Sequence, residues 1–175
     1  MSMDISDEKL TAAPSRSMRR VFGKLCQLLA RKTPLLPGKW RAALQRLHGV
    51  NFLDWREVFI GEDVIFDDLY PEAIQVGRGV LITTGVIILA HYLDTQFQPT
   101  SARPFRFYQG KVVIGDYVFI GANTIIAKPI QIGEGAIIGA NSVLTKDVPP
   151  NAIMAGVPAK QVGTRPGMVR EPERT

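Results

Sequence analysis

The feature that most constrains this chain is a period of six between residues 112 and 148. Ile114, Ile120, Ile126, Ile132, Ile138 and Leu144 recur in one unbroken frame. The residue after each of the first five is small: Gly115, Gly121, Ala127, Gly133 and Gly139. Four places on from each aliphatic stand Val118, Thr124, Ile130, Ala136, Ser142 and Val148, mostly small or β-branched. A period of six is neither the 3.6 of a helix nor the 2 of an alternating strand, so it is a structural repeat. Each unit has room for one short strand and one corner, and three units close one triangular coil of a parallel β-helix. The aliphatic points inward, and the glycine or alanine is expected to ease the corner, having little or no side chain to hinder it. Stacked coils pair their strands and pile like aliphatics into interior ladders.

Upstream, the frame is interrupted twice. The coil is expected to begin near Val50, with Ile60-Gly61 and Phe66 in register. It slips at Tyr70-Pro71-Glu72-Ala73 and resumes through Val76-Gly77, Ile82-Thr83 and Ile88-Leu89. The interval from Ile88 to Ile114 is not a multiple of six, so residues 92–110 are read as a loop leaving the coil, punctuated by Pro99, Pro104 and Gly110. A long loop without structure of its own is usually functional or disordered. This one holds Tyr92, Phe97, Phe105, Phe107 and Tyr108, too many aromatics for an idle loop, and packing on a neighbouring subunit explains them as well as substrate contact does. Pro149, Pro150 and Pro158 close the repeat.

Residues 1–14 read as a disordered leader, 15–49 as a helical segment, 50–162 as the coil domain and 163–175 as a flexible tail. Within 15–32, Met18, Val21, Phe22, Leu25, Leu28 and Leu29 fall at helical spacing, among Arg19, Arg20, Lys24, Arg31 and Lys32. A basic amphipathic helix can lie on an anionic membrane. Packing on its own coil or a neighbouring subunit is favoured over peripheral membrane contact, because Gly23 weakens the helix in isolation. A second helix, about 39–48, gathers Trp40, Ala43, Leu44 and Leu47 on one face.

One cysteine, Cys26, excludes an internal disulfide and fits a reducing compartment. No apolar run approaches the ~20 residues of a membrane-spanning helix, and the polar, acidic start is unlike a signal peptide; a cytoplasmic protein is expected. The net charge of +5 suggests an anionic ligand or surface. No nucleic-acid motif accompanies it, so nucleic acid is not an expected partner. Of two histidines, His48 ends the second helix and reads as a surface residue, whereas His91 stands at the coil edge just before the loop, where binding groups tend to sit.

The repeat and the ending IIGANSVLTKDVPPNAIMAGVPAK (residues 137–160) resemble the hexapeptide-repeat acyltransferases, the left-handed parallel β-helix family that includes the galactoside, maltose and polysaccharide O-acetyltransferases. The left hand comes from this resemblance; periodicity does not give it, and parallel crossovers in general are right-handed. The resemblance implies a homotrimer with active sites between subunits, acetyl-CoA as co-substrate and no metal. The acceptor would be a hydroxyl of a small molecule or glycan. It implies that His91 is the general base, a role suited to a side chain that titrates near working pH. Gly121 and Ala122 match the stretch that supplies a backbone N–H to the oxyanion. Several relatives carry serine where this chain has Ala122, so only the backbone contribution carries over. Phe119 stands where many relatives have tryptophan beside the pantetheine channel. Ala122, Ala140, Thr145 and Lys146 match positions that line the CoA groove, Lys160 matches a basic position near the 3′-phosphate, and Arg165 is added on charge alone; each cation is equally well an ordinary solvated charge. Asp63, Asp67 and Asp68 lie near the region where relatives place an acceptor-binding asparagine or aspartate, and Tyr92 lies at the loop's start; each aspartate could equally be a turn residue.

Serine-directed and antibiotic-directed acetyltransferases share the fold, as does a non-catalytic scaffold. The zinc-dependent carbonic anhydrase of the same fold needs three histidines, and this chain has two.

Overall fold

The computed structural model describes residues 9–11, 18–33, 35–94 and 106–166. In the repeat, strands β10 (Val112–Ile114), β11 (Phe119–Ile120), β12 (Ile125–Ile126), β13 (Gln131–Ile132), β14 (Ile137–Ile138) and β15 (Val143–Leu144) visit three parallel sheets in turn. Each strand pairs with the one three hexads further on: Ile114 with Ile132, Ile120 with Ile138, Ile126 with Leu144. That register stacks three-strand coils. Two earlier turns complete the stack. β2 (Asn51–Phe52), β3 (Phe59–Ile60) and β4 (Ile65–Phe66) pair with β5 (Ile74–Val76), β6 (Leu81–Ile82) and β7 (Ile87–Ile88). β5, β6 and β7 in turn pair with β10, β11 and β12. The slip near Tyr70 is a short 3-10 turn at Pro71–Ala73, which lengthens one corner without disturbing the ladders on either side.

The interior is aliphatic, as the repeat requires. One ladder runs Ile60, Ile82, Ile120, Ile138, Met154; another Phe66, Ile88, Ile126, Leu144; a third Val76, Ile114, Ile132, Val148, and all are buried. The two polar members of the second interior row, Thr124 and Ser142, both donate to the Gly139 carbonyl, so neither hydroxyl is left unpaired.

The glycines after the aliphatics serve a different purpose from easing the corner. At Gly121 a Cβ would lie 2.5 Å from the Ala140 nitrogen and 2.8 Å from the Ile138 oxygen of the next coil. The small residue is needed for close stacking of backbones. The left-handed backbone conformation that turns the corner falls two places further on, at Tyr117, Asn123, Gly135 and Asn141. Asparagine tolerates that region, and three of these four corners use asparagine or glycine.

The excursion between the coils is not structureless at its ends. β8 (His91–Leu93) and β9 (Phe107–Gln109) pair antiparallel, and β1 (Lys9–Thr11), within the expected leader, adds a third strand beside β9. Phe97 and Phe105 lie outside the described residues. The coil closes with β16 (Ala152–Gly156), which folds back antiparallel on β17 (Ala159–Thr164), so ordered structure extends into the expected tail.

Helices α1 (Met18–Lys32) and α2 (Gly38–His48) form a hairpin against the coil. The sequence pattern is inverted here. Gly23, Cys26, Gln27 and Ala30 of α1 and Arg41, Ala42, Gln45 and His48 of α2 face inward, while the large apolar side chains face out. Gly23 does not merely weaken α1: a Cβ there would meet the His48 carbonyl at 3.0 Å, so glycine permits the helix contact. His48 is buried, correcting its reading as a surface residue. The pattern misled because polar side chains line the inner face, Arg41 well partnered and Gln45 and His48 bonded to each other, with Gln45 Nε2 and His48 Nε2 left without a hydrogen bond among the described residues. Arg41 donates to the Ala30 and Thr33 carbonyls and to Glu62, and His48 Nδ1 bonds Gln45.

Candidate active site

His91 begins β8, at the edge where the chain leaves the coil, and two aromatic rings pack against its own. Tyr70 and Phe107 meet it edge-on, at centroid distances of 5.7 and 5.5 Å. Its Nδ1 lies 2.5 Å from Asp67 Oδ2. A carboxylate can only accept, so Nδ1 carries the proton and Nε2 presents a lone pair.

Asp67 is 1 % exposed, and four donors satisfy it. Oδ2 accepts from the Ala90 N–H at 2.8 Å as well as from His91. Oδ1 accepts from the N–H groups of Leu69 and Tyr70 at 2.9 and 3.1 Å. The turn after β4 wraps the carboxylate, which then reaches across to the residue before β8. Burying a charge without such partners would cost several kcal/mol. Asp67 therefore orients the histidine; the sequence placed it in the right region with the wrong partner. A signal was present: Asp67 directly follows the inward-facing Phe66, as His91 lies three residues after the inward-facing Ile88, and Phe66 and Ile88 are ladder partners.

Asp63 and Asp68 do not join this group. Asp63 binds Arg31 through Oδ1 at 2.9 Å and Lys32 at 3.4 Å; hydrogen bonding from Arg31, then from Lys32, holds its carboxyl below the usual range despite partial burial. Asp68 accepts from Gln27 and pairs with Lys24 at 3.7 Å. Both fasten α1 to the coil. Tyr92 stacks against Tyr108 across β8 and β9, 5.4 Å between centroids, so part of the loop's aromatic content packs within the chain itself.

Of the two oxyanion candidates, the Gly121 N–H is already committed to the Ile138 carbonyl at 2.8 Å. Among the described residues the Ala122 N–H has no acceptor. Phe119 projects outward from β11, over a third exposed. Ala140 and Lys146 are exposed, Thr145 is half-buried, and Lys160 is exposed on β17. Arg165 differs from a free cation: its guanidinium reaches the Tyr117 and Gly135 carbonyls and its N–H donates to Asn151, so it pins the end of β17 to the coil corners. Among the described residues no three His, Cys, Asp or Glu side chains cluster to hold a metal ion, and no helix is long and apolar enough to cross a membrane.

Residues 111–146 match the family described as bacterial transferase hexapeptide, six repeats. A putative acetyltransferase of Bacillus subtilis is 39% identical to this hexapeptide-repeat chain over 106 residues, covering 60% of this chain and 56% of its own length. The galactoside O-acetyltransferase of Escherichia coli is 29% identical over 117 residues, covering 66% of this chain and 55% of its own. The chain thus spans little more than half the length of these curated relatives. A hexapeptide-repeat acetyltransferase from Vibrio cholerae shares the fold at a TM-score of 0.63 and 24% identity, over 85% of this chain and 91% of that one. The same protein has also been solved with acetyl coenzyme A, at a TM-score of 0.58 and 20% identity, over 85% and 87% of the two chains.

Proposed function

We propose that this hexapeptide-repeat protein is an acetyl-CoA-dependent O-acetyltransferase acting on a hydroxyl of a sugar or polysaccharide precursor. One observation carries the reading: a histidine at the coil edge whose Nδ1–H is held by a fully satisfied buried carboxylate, leaving Nε2 as acceptor. In this mechanism Nε2 takes the proton of the acceptor hydroxyl as its oxygen attacks the thioester carbonyl carbon. The tetrahedral intermediate carries an oxyanion, for which the Ala122 N–H is the available donor. Collapse breaks the carbon–sulfur bond, and the imidazolium returns its proton to the departing thiolate. Asp67 keeps the ring in one tautomer and stabilises its charged form.

Phe119 would flank the pantetheine arm, with Ala122, Ala140 and Thr145 lining the groove. Lys146 and Lys160 would meet the phosphates. Arg165 would join them through its remaining donors, since only Nη1 touches backbone carbonyls, at 3.4 and 3.5 Å. In this reading the coil is left-handed, as in the relatives, and three chains assemble around a threefold axis, with sites between subunits. The compartment would be the cytoplasm, where acetyl-CoA is available. The O-acetyl acceptor draws support from the galactoside O-acetyltransferase among the relatives. Thioester consumption with acetyl-CoA against sugars, serine and antibiotics tests the reading. Turnover with a sugar hydroxyl is expected; turnover only with an amine, or with none of the panel, would overturn it.

A further inference from the structure

The hairpin of α1 and α2 turns its apolar side away from the protein. On α1, Val21, Phe22, Leu25, Leu28 and Leu29 are between 46 and 59% exposed; on α2, Trp40 and Leu47 are 56 and 58% exposed. The orientation is specified rather than accidental. The inward side of α1 sets Gly23 against the His48 carbonyl, where a Cβ would lie at 3.0 Å, tight enough to push the two helices apart. Gln27 accepts from the Phe66 N–H and donates to Asp68. Arg41 of α2 is bound at three points. Rolling either helix to bury its large side chains would break all of these contacts.

The hairpin's own charged residues are all of one sign. Besides the inward-facing Arg41, residues 18–48 contain Arg19, Arg20, Lys24, Arg31, Lys32, Lys39 and Arg46, and no aspartate or glutamate. Lys39 and Arg46 are exposed on α2. The acids that pair Lys24, Arg31 and Lys32 belong to the coil and lie on the inner flank of the hairpin. A second copy of the hairpin set against this face would oppose cation to cation.

We infer that the outer face of the α1–α2 hairpin docks the protein onto an anionic lipid surface. The leucines, Phe22 and Trp40 would enter the boundary between headgroups and acyl chains, with the lysines and arginines at the phosphate level. A tryptophan is well suited to that boundary, with an apolar ring and one N–H donor. The inference stands apart from the proposed reaction, since no residue of the His91 site takes part.

The test uses the full chain and vesicles of phosphatidylcholine, alone or mixed with phosphatidylglycerol. The parent is expected to sediment with the anionic vesicles, to bind phosphatidylcholine weakly, and to lose part of its binding in high salt. Leu25→Glu combined with Leu28→Glu alters only exposed positions, so the fold should persist by circular dichroism. Each change should cost on the order of tenfold in vesicle binding, from the lost burial of one leucine. A parent that stays in the supernatant with anionic vesicles would overturn the inference. So would a double variant that binds like the parent. Light scattering decides the remaining case: a double variant that falls apart from an oligomeric parent would assign the face to a second copy instead.

Discussion

Replacing Asp67 by asparagine tests the site through a residue that never meets substrate. The side chain is nearly isosteric, but one oxygen becomes an amide NH₂. If the NH₂ takes the Oδ2 position, it faces the Ala90 N–H and His91 Nδ1, now 2.8 and 2.5 Å away. If it takes the Oδ1 position, it faces the Leu69 and Tyr70 N–H groups. In the second orientation two donors lose an acceptor, and in the first the Ala90 N–H loses its own while His91 must change tautomer, at about 1–3 kcal/mol per lost acceptor. A total near 3 kcal/mol would lower the melting temperature by roughly 6–12 °C for a chain of this size. In the first orientation His91 Nδ1 would accept from the amide and its proton would move to Nε2, removing the base. The expected loss in kcat is then on the order of 10²–10⁴, with little change in the KM for acetyl-CoA. The control is Asp68→Asn, which touches α1 rather than His91 and should keep parental kcat. Steady-state kinetics and thermal denaturation on the three proteins decide the matter. An Asp67→Asn protein with parental kcat and melting temperature would refute the orienting role.

Further outcomes follow from other parts of the fold. Gly121→Ala forces a Cβ to 2.5 Å from the Ala140 nitrogen and should cost about 1–3 kcal/mol of stability, whereas Gly139→Ala, whose Cβ would meet Ala155 Cβ at 3.3 Å, should cost less; a denaturant titration ranks them, and equal costs would contradict the stacking argument. Lys160→Ala should weaken CoA binding by roughly 1–3 kcal/mol and reduce the penalty for removing the 3′-phosphate; calorimetry showing equal sensitivity to 3′-dephospho-CoA in both proteins would make Lys160 an ordinary surface charge. Burial holds the His48 imidazole below its ordinary value of 6.5, outweighing the pull of Asp68 in the other direction. The unfolded chain therefore binds that proton more readily, so the stability His48 contributes is present above 6.5 and drains as pH falls below it. Melting temperatures across that range should show the slope in the parent and a shallower one in His48→Gln.

The coil was legible because its signal is repeated: each interior aliphatic predicts the next, and strand pairing follows from the same count. The position of His91 before the break in frame marked it only as a residue at the coil edge; the family resemblance, not the position, suggested it as the base. The hairpin was not. A periodic apolar face is ordinarily the buried one, and nothing local announced that Arg41, Gln45 and His48 would find partners inside. Asp67 was visible as a residue but not as a partner, because its contact with His91 depends on how the turn at Leu69–Tyr70 wraps it and on the register between β4 and β7. Arg165 shows a similar limit, since charge alone does not say whether a guanidinium meets a ligand or a pair of backbone carbonyls.

The central claim is that His91 Nε2 is the base, and the most direct measurement is kcat for His91→Ala with acetyl-CoA and its best acceptor. The imidazole acts mainly in the transition state, so kcat should fall on the order of 10²–10⁴ while acetyl-CoA affinity stays close to parental. A folded His91→Ala protein turning over at nearly the parental rate would contradict the account.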